Sequence, residues 1–165
     1  MYLPEGCTRP ESARLDAFWA AASAKVPTLG EHYQVRWIGL DAPTTRQIFD
    51  LIRAGDKTGT FALPWVFERT GQAVPRRGDE LILIDFDGRP TMVVRLTDVR
   101  DLVFGRITAA DIAIDGSPVR DLAIWKPLHT QYWNSILKPV GLAVRDDMPC
   151  WAEPFELVYD GGGAG

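Results

Sequence analysis

Residues 80–96 read ELILIDFDGRPTMVVRL, two apolar runs separated by the turn dipeptide Asp87-Gly88. That pattern is a β-hairpin signal, carried on by TDVRDLVF, and it commits the middle of the chain to a sheet. The flanking segments must cover that sheet. In ARLDAFWAAASAK a helix is predicted after Ser12 as N-cap, with Leu15, Phe18, Trp19 and Ala22 as its apolar stripe; Pro27 and Gly30 end it. YQVRWIGL alternates apolar and polar residues, so Tyr33, Val35 and Trp37 share one face of a strand. APTTRQIFDLIRAG reads as a helix with Thr44 or Thr45 at the N-cap, Ile48, Leu51 and Ile52 buried, and Gly55 in the left-handed position after the last turn.

TFALPWVFE reads as extended, with Pro64 at an edge or bulge, and GQAVPRRGDE as a turn. ITAADIAIDG is a short helix between Thr108 and Gly116, and DLAIWKPLHTQYWNSILK a longer one that Pro127 kinks or divides. PFELVY is the closing strand. Short helices thus alternate with antiparallel-type strands, without repeats or heptads. The expectation is an α+β fold built on a small twisted sheet or partly closed β-barrel flanked by short helices. The glycine spacings of dinucleotide-binding and P-loop folds are missing, which disfavours a doubly wound sheet.

At 165 residues the chain is expected to form one domain, residues 33–160, with an N-terminal helical extension, 1–32, and a flexible tail, 161–165. No apolar run approaches the roughly 20 residues of a membrane-spanning helix. MYLPEGCTRPES lacks the basic and apolar regions of a secretory signal. A cytoplasmic protein is expected, with Cys7 and Cys150 as free thiols. The net charge of −4 argues against tight non-specific duplex binding and leaves an enzyme acting on a nucleoside or a short single strand. Two histidines, His32 and His129, and two distant cysteines form no ligand pattern, so neither a metal site nor a cofactor is expected. A loosely bound divalent cation stays compatible with the sequence. No G-x-S-x-G elbow is present.

The stretch GDKTGT, residues 55–60, admits two readings. In one, Lys57 is a solvated cation completing the end of a helix, and Thr58 and Thr60 are strand formers. In the other, a bulge at Gly59 turns Lys57 and Thr60 toward one cleft, where the lysine activates the hydroxyl as a nucleophile. Trp65 reads as core or as a stacking platform for a base. His129 is a packing residue or a proton carrier; no acid at i±3 or i±4 orients its ring. Asp111 and Asp115 stand four apart around a short helix. Arg76 and Arg77 are the densest positive spot, in a turn.

AGDKTGT, LPWVFERTGQAVPRRGDELILIDFDGRPTMVVRLTDV, LAIWKPLHTQYW and DDMPCWAEPFELVY together resemble the longer members of the ASCH family, in register from about Trp37 to Tyr159. The G-x-K-x-x-T motif stands as Gly55, Lys57 and Thr60, and the W-x-x-x-H pair as Trp125 and His129. The resemblance implies a PUA-like β-barrel with flanking helices and a groove suited to RNA or a nucleotide. In a smaller relative the motif lysine and threonine act with a glutamate to remove the acetyl group from acetylcytidine; other members are associated with RNA binding or cleavage. Here the acidic stretch before the W-x-x-x-H helix reads IDGSPVRD, with Asp115 in place of the first acid and Ser117 in place of the second.

These readings converge on a cleft around Lys57, Thr60 and Asp115. A single-stranded RNA, nucleotide or nucleoside is the expected partner, and Arg53, Thr58, Trp65, Arg76, Arg77 and His129 are the expected binding residues. The leading expectation is an RNA-directed domain that binds, and in a stronger form cleaves, RNA. The alternatives are an amidohydrolase acting on an acylated pyrimidine nucleoside and a non-catalytic interaction module. The oligomeric state is not specified by the sequence.

Overall fold

The computed structural model describes residues 1–162, so most of the expected tail lies outside the described residues. The hairpin forms as the sequence predicts. Strands β3 (Glu80–Ile84) and β4 (Pro90–Leu96) pair antiparallel around Asp87-Gly88. Gly88 has φ +76°, and a Cβ there would lie 2.7 Å from the Thr8 carbonyl oxygen, so glycine is needed twice over.

Both faces of β3 are covered. Leu81 and Leu83 pack with Phe49 and Ile52 of α2 (Ala42–Arg53), while Ile82 and Ile84 pack with Leu15, Trp19 and Ala22 of α1 (Ser12–Lys25). This double cover is why LILI is continuously apolar where a half-exposed strand would alternate. Each of those four side chains contributes about 1.5–3 kcal/mol by burial.

The sheet order is β1-β3-β4-β6-β2, with β5 also on β6. Here β1 is Gln34–Trp37, β2 Gly59–Ala62, β5 Arg100–Val103 and β6 Pro149–Asp160. The first half of β6 lies between β2 and β5, and its second half runs beside β4. A register shift between Val93 and Val94 bends the β4–β6 pair. The result is a mixed sheet curled into a half-barrel, an α+β architecture as expected.

Several local expectations are corrected. β1 pairs with β3 in parallel, because a long crossover through α2, β2 and a further helix separates them. That helix, α3 (Pro64–Thr70), replaces the second half of the extended segment expected at TFALPWVFE. Pro64 is its first residue, where a fixed φ and a missing N–H suit a helix start. The α2 cap is Asp41, whose carboxylate accepts from Thr44 N at 2.8 Å; the Thr45 hydroxyl instead donates to the Ile38 carbonyl. Ser12 is the first residue of α1, after Glu11 at the cap.

Only a single 3-10 turn, Asp111–Ile114, forms in the short helix expected between Thr108 and Gly116. The closing strand begins at Pro149, five residues ahead of expectation. Its Pro154 sits opposite Gly59 at the end of the β2 ladder, where a missing N–H is tolerated. Helix α4 (Leu122–Leu137) runs unbroken through Pro127. Burial of Trp125, Trp133, Ile136 and Leu137 outweighs the roughly 3 kcal/mol of a helix-interior proline. Among the described residues no helix is long and apolar enough to cross a membrane.

Candidate functional site

Gly55, at φ +70°, turns the chain back at the end of α2, so that Asp56 N and Lys57 N both donate to the Leu51 carbonyl. Lys57 therefore precedes β2, and strand alternation does not separate it from Thr60. Both residues line one cavity of about 200 Å³. The bulge considered at Gly59 is absent, since β2 pairs with β6 in regular register. Gly59 matters for another reason: a Cβ there would lie 2.6 Å from Ile114 Cδ1 and 3.0 Å from the Glu153 carbonyl oxygen.

Lys57 is not a solvated helix-end cation. Its side chain is only 5% exposed, and its Nζ donates to Asp115 Oδ1 at 2.7 Å. The same oxygen accepts from Gly116 N at 2.8 Å, and Oδ2 accepts from Trp125 Nε1 at 2.9 Å. Asp115 is thus held by three donors from three segments. Burial pushes its pKa up, but the Lys57 ammonium, then His129 and the Gly116 N–H, bring it below the ordinary carboxylate value.

His129 lines the cavity one turn beyond Trp125, with the two rings stacked at 3.8 Å. Asp115 is its acidic neighbour from another segment, with Oδ2 lying 3.8 Å from Nε2, beyond hydrogen-bond reach. Its Nδ1 is 2.9 Å from the Trp125 carbonyl, an acceptor, which assigns the proton to Nδ1 and leaves Nε2 with a lone pair. Burial lowers the pKa of the imidazole to about 4, against the pull of Asp115, so the ring is neutral near pH 7.

A second buried pair reaches the cavity through Arg36, which the sequence places only within the YQVRWIGL strand, while its partner Glu153 lies just ahead of the expected PFELVY strand. Arg36 of β1 donates from Nη1 and Nη2 to the two oxygens of Glu153, each at 3.2 Å. Glu153 is fully buried, and its residue in β6 faces Thr60 in the β2–β6 register. The guanidinium also lies 4.6 Å from the centre of the Phe67 ring. Alternation in YQVRWIGL marks Arg36 as outward-facing; an arginine at a position with no turn signal was the available hint. Tyr132 of α4 also lines the cavity, and burial pushes its phenol up to about 12.

The other sequence candidates lie elsewhere. Arg53 is paired with Asp160 and Asp50. Thr58 is exposed and ties the 3-10 turn to β6 through its backbone, donating to the Ile114 carbonyl and accepting from Phe155 N. Trp65 packs against the core under the Arg145 guanidinium, 5.3 Å from its ring. Arg76 and Arg77 are exposed in the turn before β3. Among the described residues no group of three or more His, Cys, Asp or Glu side chains is gathered as a metal ion would require. Cys7 and Cys150 are free thiols.

The cavity is therefore mostly apolar, with the hydroxyls of Thr44, Thr60 and Tyr132, one neutral imidazole and two ion pairs whose charges cancel. Residues 36–159 match the family model of the ASCH domain. Two solved structures share the fold. One is an ASCH domain from Lactobacillus crispatus JV V101, 20% identical, covering 90% of this chain and 96% of that one with a TM-score of 0.77. The other is a protein from Enterococcus faecalis V583, 20% identical, covering 94% and 98% with a TM-score of 0.81. No curated protein sequence matches this chain.

Proposed function

Because this chain belongs to the ASCH domain family, a PUA-like group, we propose that its cavity binds a neutral pyrimidine base. The base is presented by a nucleoside or by single-stranded RNA, and an acyl substituent on it is hydrolysed there. One observation carries the reading: Lys57, Thr60, Asp115 and His129 converge on one cavity with balanced charge. A phosphate backbone would need unpaired cations. Both cations at this cavity are already matched by carboxylates, and Arg53, Arg76 and Arg77 lie away from it. A ring with few charges, stacked among Phe61, Tyr132 and apolar neighbours, fits such walls better.

The side chains divide the work as follows. Thr60 Oγ1 attacks the acyl carbon, and His129 Nε2, unprotonated at neutral pH, takes its proton. Lys57 Nζ stabilises the negative charge that develops on the acyl oxygen. The ring amine leaves with the proton from His129, and water releases the acyl group from Thr60. Asp115, fixed by Lys57, Gly116 and Trp125, orients the lysine and carries no proton itself. Its shorter side chain is no obstacle to that role, since it reaches Lys57 at 2.7 Å.

The test incubates wild type, Lys57→Ala and Thr60→Val with acetylcytidine and, separately, with single-stranded RNA carrying the same base. Deacetylation by wild type, lost by at least about a hundredfold in both variants, is the expected result. Intact acetylcytidine in both wild-type reactions sinks the reading. RNA strand scission that depends on Lys57 would replace it with a ribonuclease.

A further inference from the structure

The Arg36–Glu153 pair has no place in the chemistry above, yet it is built with care. Glu153 is fully buried and both its oxygens are taken by one guanidinium. Burying such a pair gives little net stability; well-packed apolar residues in its place are often neutral or stabilising. Glu153 is also held unfavourably: burial pushes its carboxyl up, and Arg36 opposes this only in part. A guanidinium has five N–H donors, of which Glu153 takes two. Among the described residues no other side chain or carbonyl accepts from the rest. Arg36 lines the cavity and also a neighbouring groove of about 350 Å³ that shares Phe67 and Gln72 with it, so the residue stands where the two spaces meet.

We propose that Arg36, clamped by Glu153, is a specificity-determining residue of the cavity. Its free N–H groups donate to an acceptor oxygen of a neutral, carbonyl-bearing ring, and Glu153 cancels the charge that would otherwise draw an anion. The inference rests on the cavity being a base-binding site and names what the site reads: ring carbonyls, with anionic rings rejected. Glu153 acts through Arg36 and is a positioning residue.

Uracil and orotate, the same ring without and with a carboxylate, separate these effects. Each is titrated by calorimetry into wild type, Glu153→Gln and the double variant Arg36→Met/Glu153→Leu, with melting temperatures measured alongside. Wild type is expected to prefer uracil. Glu153→Gln, which keeps an acceptor for Arg36 but removes the negative charge, is expected to shift the uracil-to-orotate ratio toward orotate by about tenfold or more. The double variant is expected to melt at or above wild type while losing uracil affinity by about tenfold.

An unchanged ratio in Glu153→Gln overturns the proposal, as does wild type binding neither ring or favouring orotate. A double variant that melts far below wild type, or that keeps its uracil affinity, overturns it too. Uracil preference that switches as expected, in a protein that leaves acetylcytidine intact, ends the hydrolase reading and leaves this one standing. Turnover of acetylcytidine with no switch in Glu153→Gln does the reverse.

Discussion

Replacing Lys57 with methionine removes the ammonium but keeps most of the packing volume, and its consequences follow from Asp115. In the wild type the folded-state pKa of Asp115 lies below its ordinary 3.8, because Lys57, with smaller help from His129 and the Gly116 N–H, outweighs the upward push of burial. The folded protein then binds fewer protons than the unfolded chain. The stability gained is present above pH 3.8 and is lost as pH falls through the lower folded value. Without Lys57, burial dominates and the folded pKa rises above 3.8, so the sign reverses and the variant loses stability as pH rises from there.

Breaking a buried pair by removing one partner costs about 3–5 kcal/mol. The N–H groups of Gly116 and Trp125 still satisfy the carboxylate, which favours the lower end of that range. For a chain of this size that is a melting-temperature drop of roughly 10 °C near pH 7. The deficit should shrink as pH approaches 4.5, since protonated Asp115 no longer needs its cation. Urea denaturation of both proteins at several values between pH 4.5 and 7.5 reads it directly. A loss below about 1 kcal/mol at pH 7, the range of an exposed pair, would refute the burial argument. So would a loss of constant size across the pH range.

His129 makes the wild type acid-sensitive in its own right. Its folded pKa, near 4, lies below the ordinary 6.5, so stability is fully present above pH 6.5 and declines as pH falls toward 4, by about 3 kcal/mol in all at 1.36 kcal/mol per unit. His129→Phe should flatten that part of the stability-versus-pH curve, and an unchanged slope would mean the imidazole is not desolvated as described. Gly59→Ala should destabilise by about 1–3 kcal/mol, because its Cβ must displace Ile114 or the Glu153 backbone. Crystallography or backbone NMR of that variant should show the shift transmitted to Asp115; a shift confined to β2 would show that the Ile114 contact is not what sets the site.

The parts of the fold that were legible in the sequence are those set by local chemistry. Asp87-Gly88 between apolar runs, the stripe of α1, and Gly55 after α2 each need only a few neighbours to be interpreted. The errors lie where the deciding partner is distant. Pro64 fits an extended edge and a helix start equally well, and only the packing of Val66 and Phe67 into the core selects the helix. Parallel pairing of β1 with β3 depends on a crossover of more than forty residues, for which strand alternation carries no signal. His129 lacks an acid on its own helix, so Asp115 could be found as its neighbour only in three dimensions.

The fit of an aspartate at position 115 follows from the same contacts. Thr58 N donates to the Ile114 carbonyl at 2.9 Å, which ties the residue after Lys57 to the residue before Asp115. Gly59, lacking a side chain, lets Ile114 close onto β2. The two backbones are therefore brought together before either side chain is placed, and a carboxylate one methylene shorter than glutamate still meets Nζ at 2.7 Å. Counting side-chain length along the sequence misjudges this, because it assumes a fixed separation between the two segments. The backbone hydrogen bond and the missing Cβ set that separation, so GDKTGT and IDG work as one unit and the reach of the acid is a property of both.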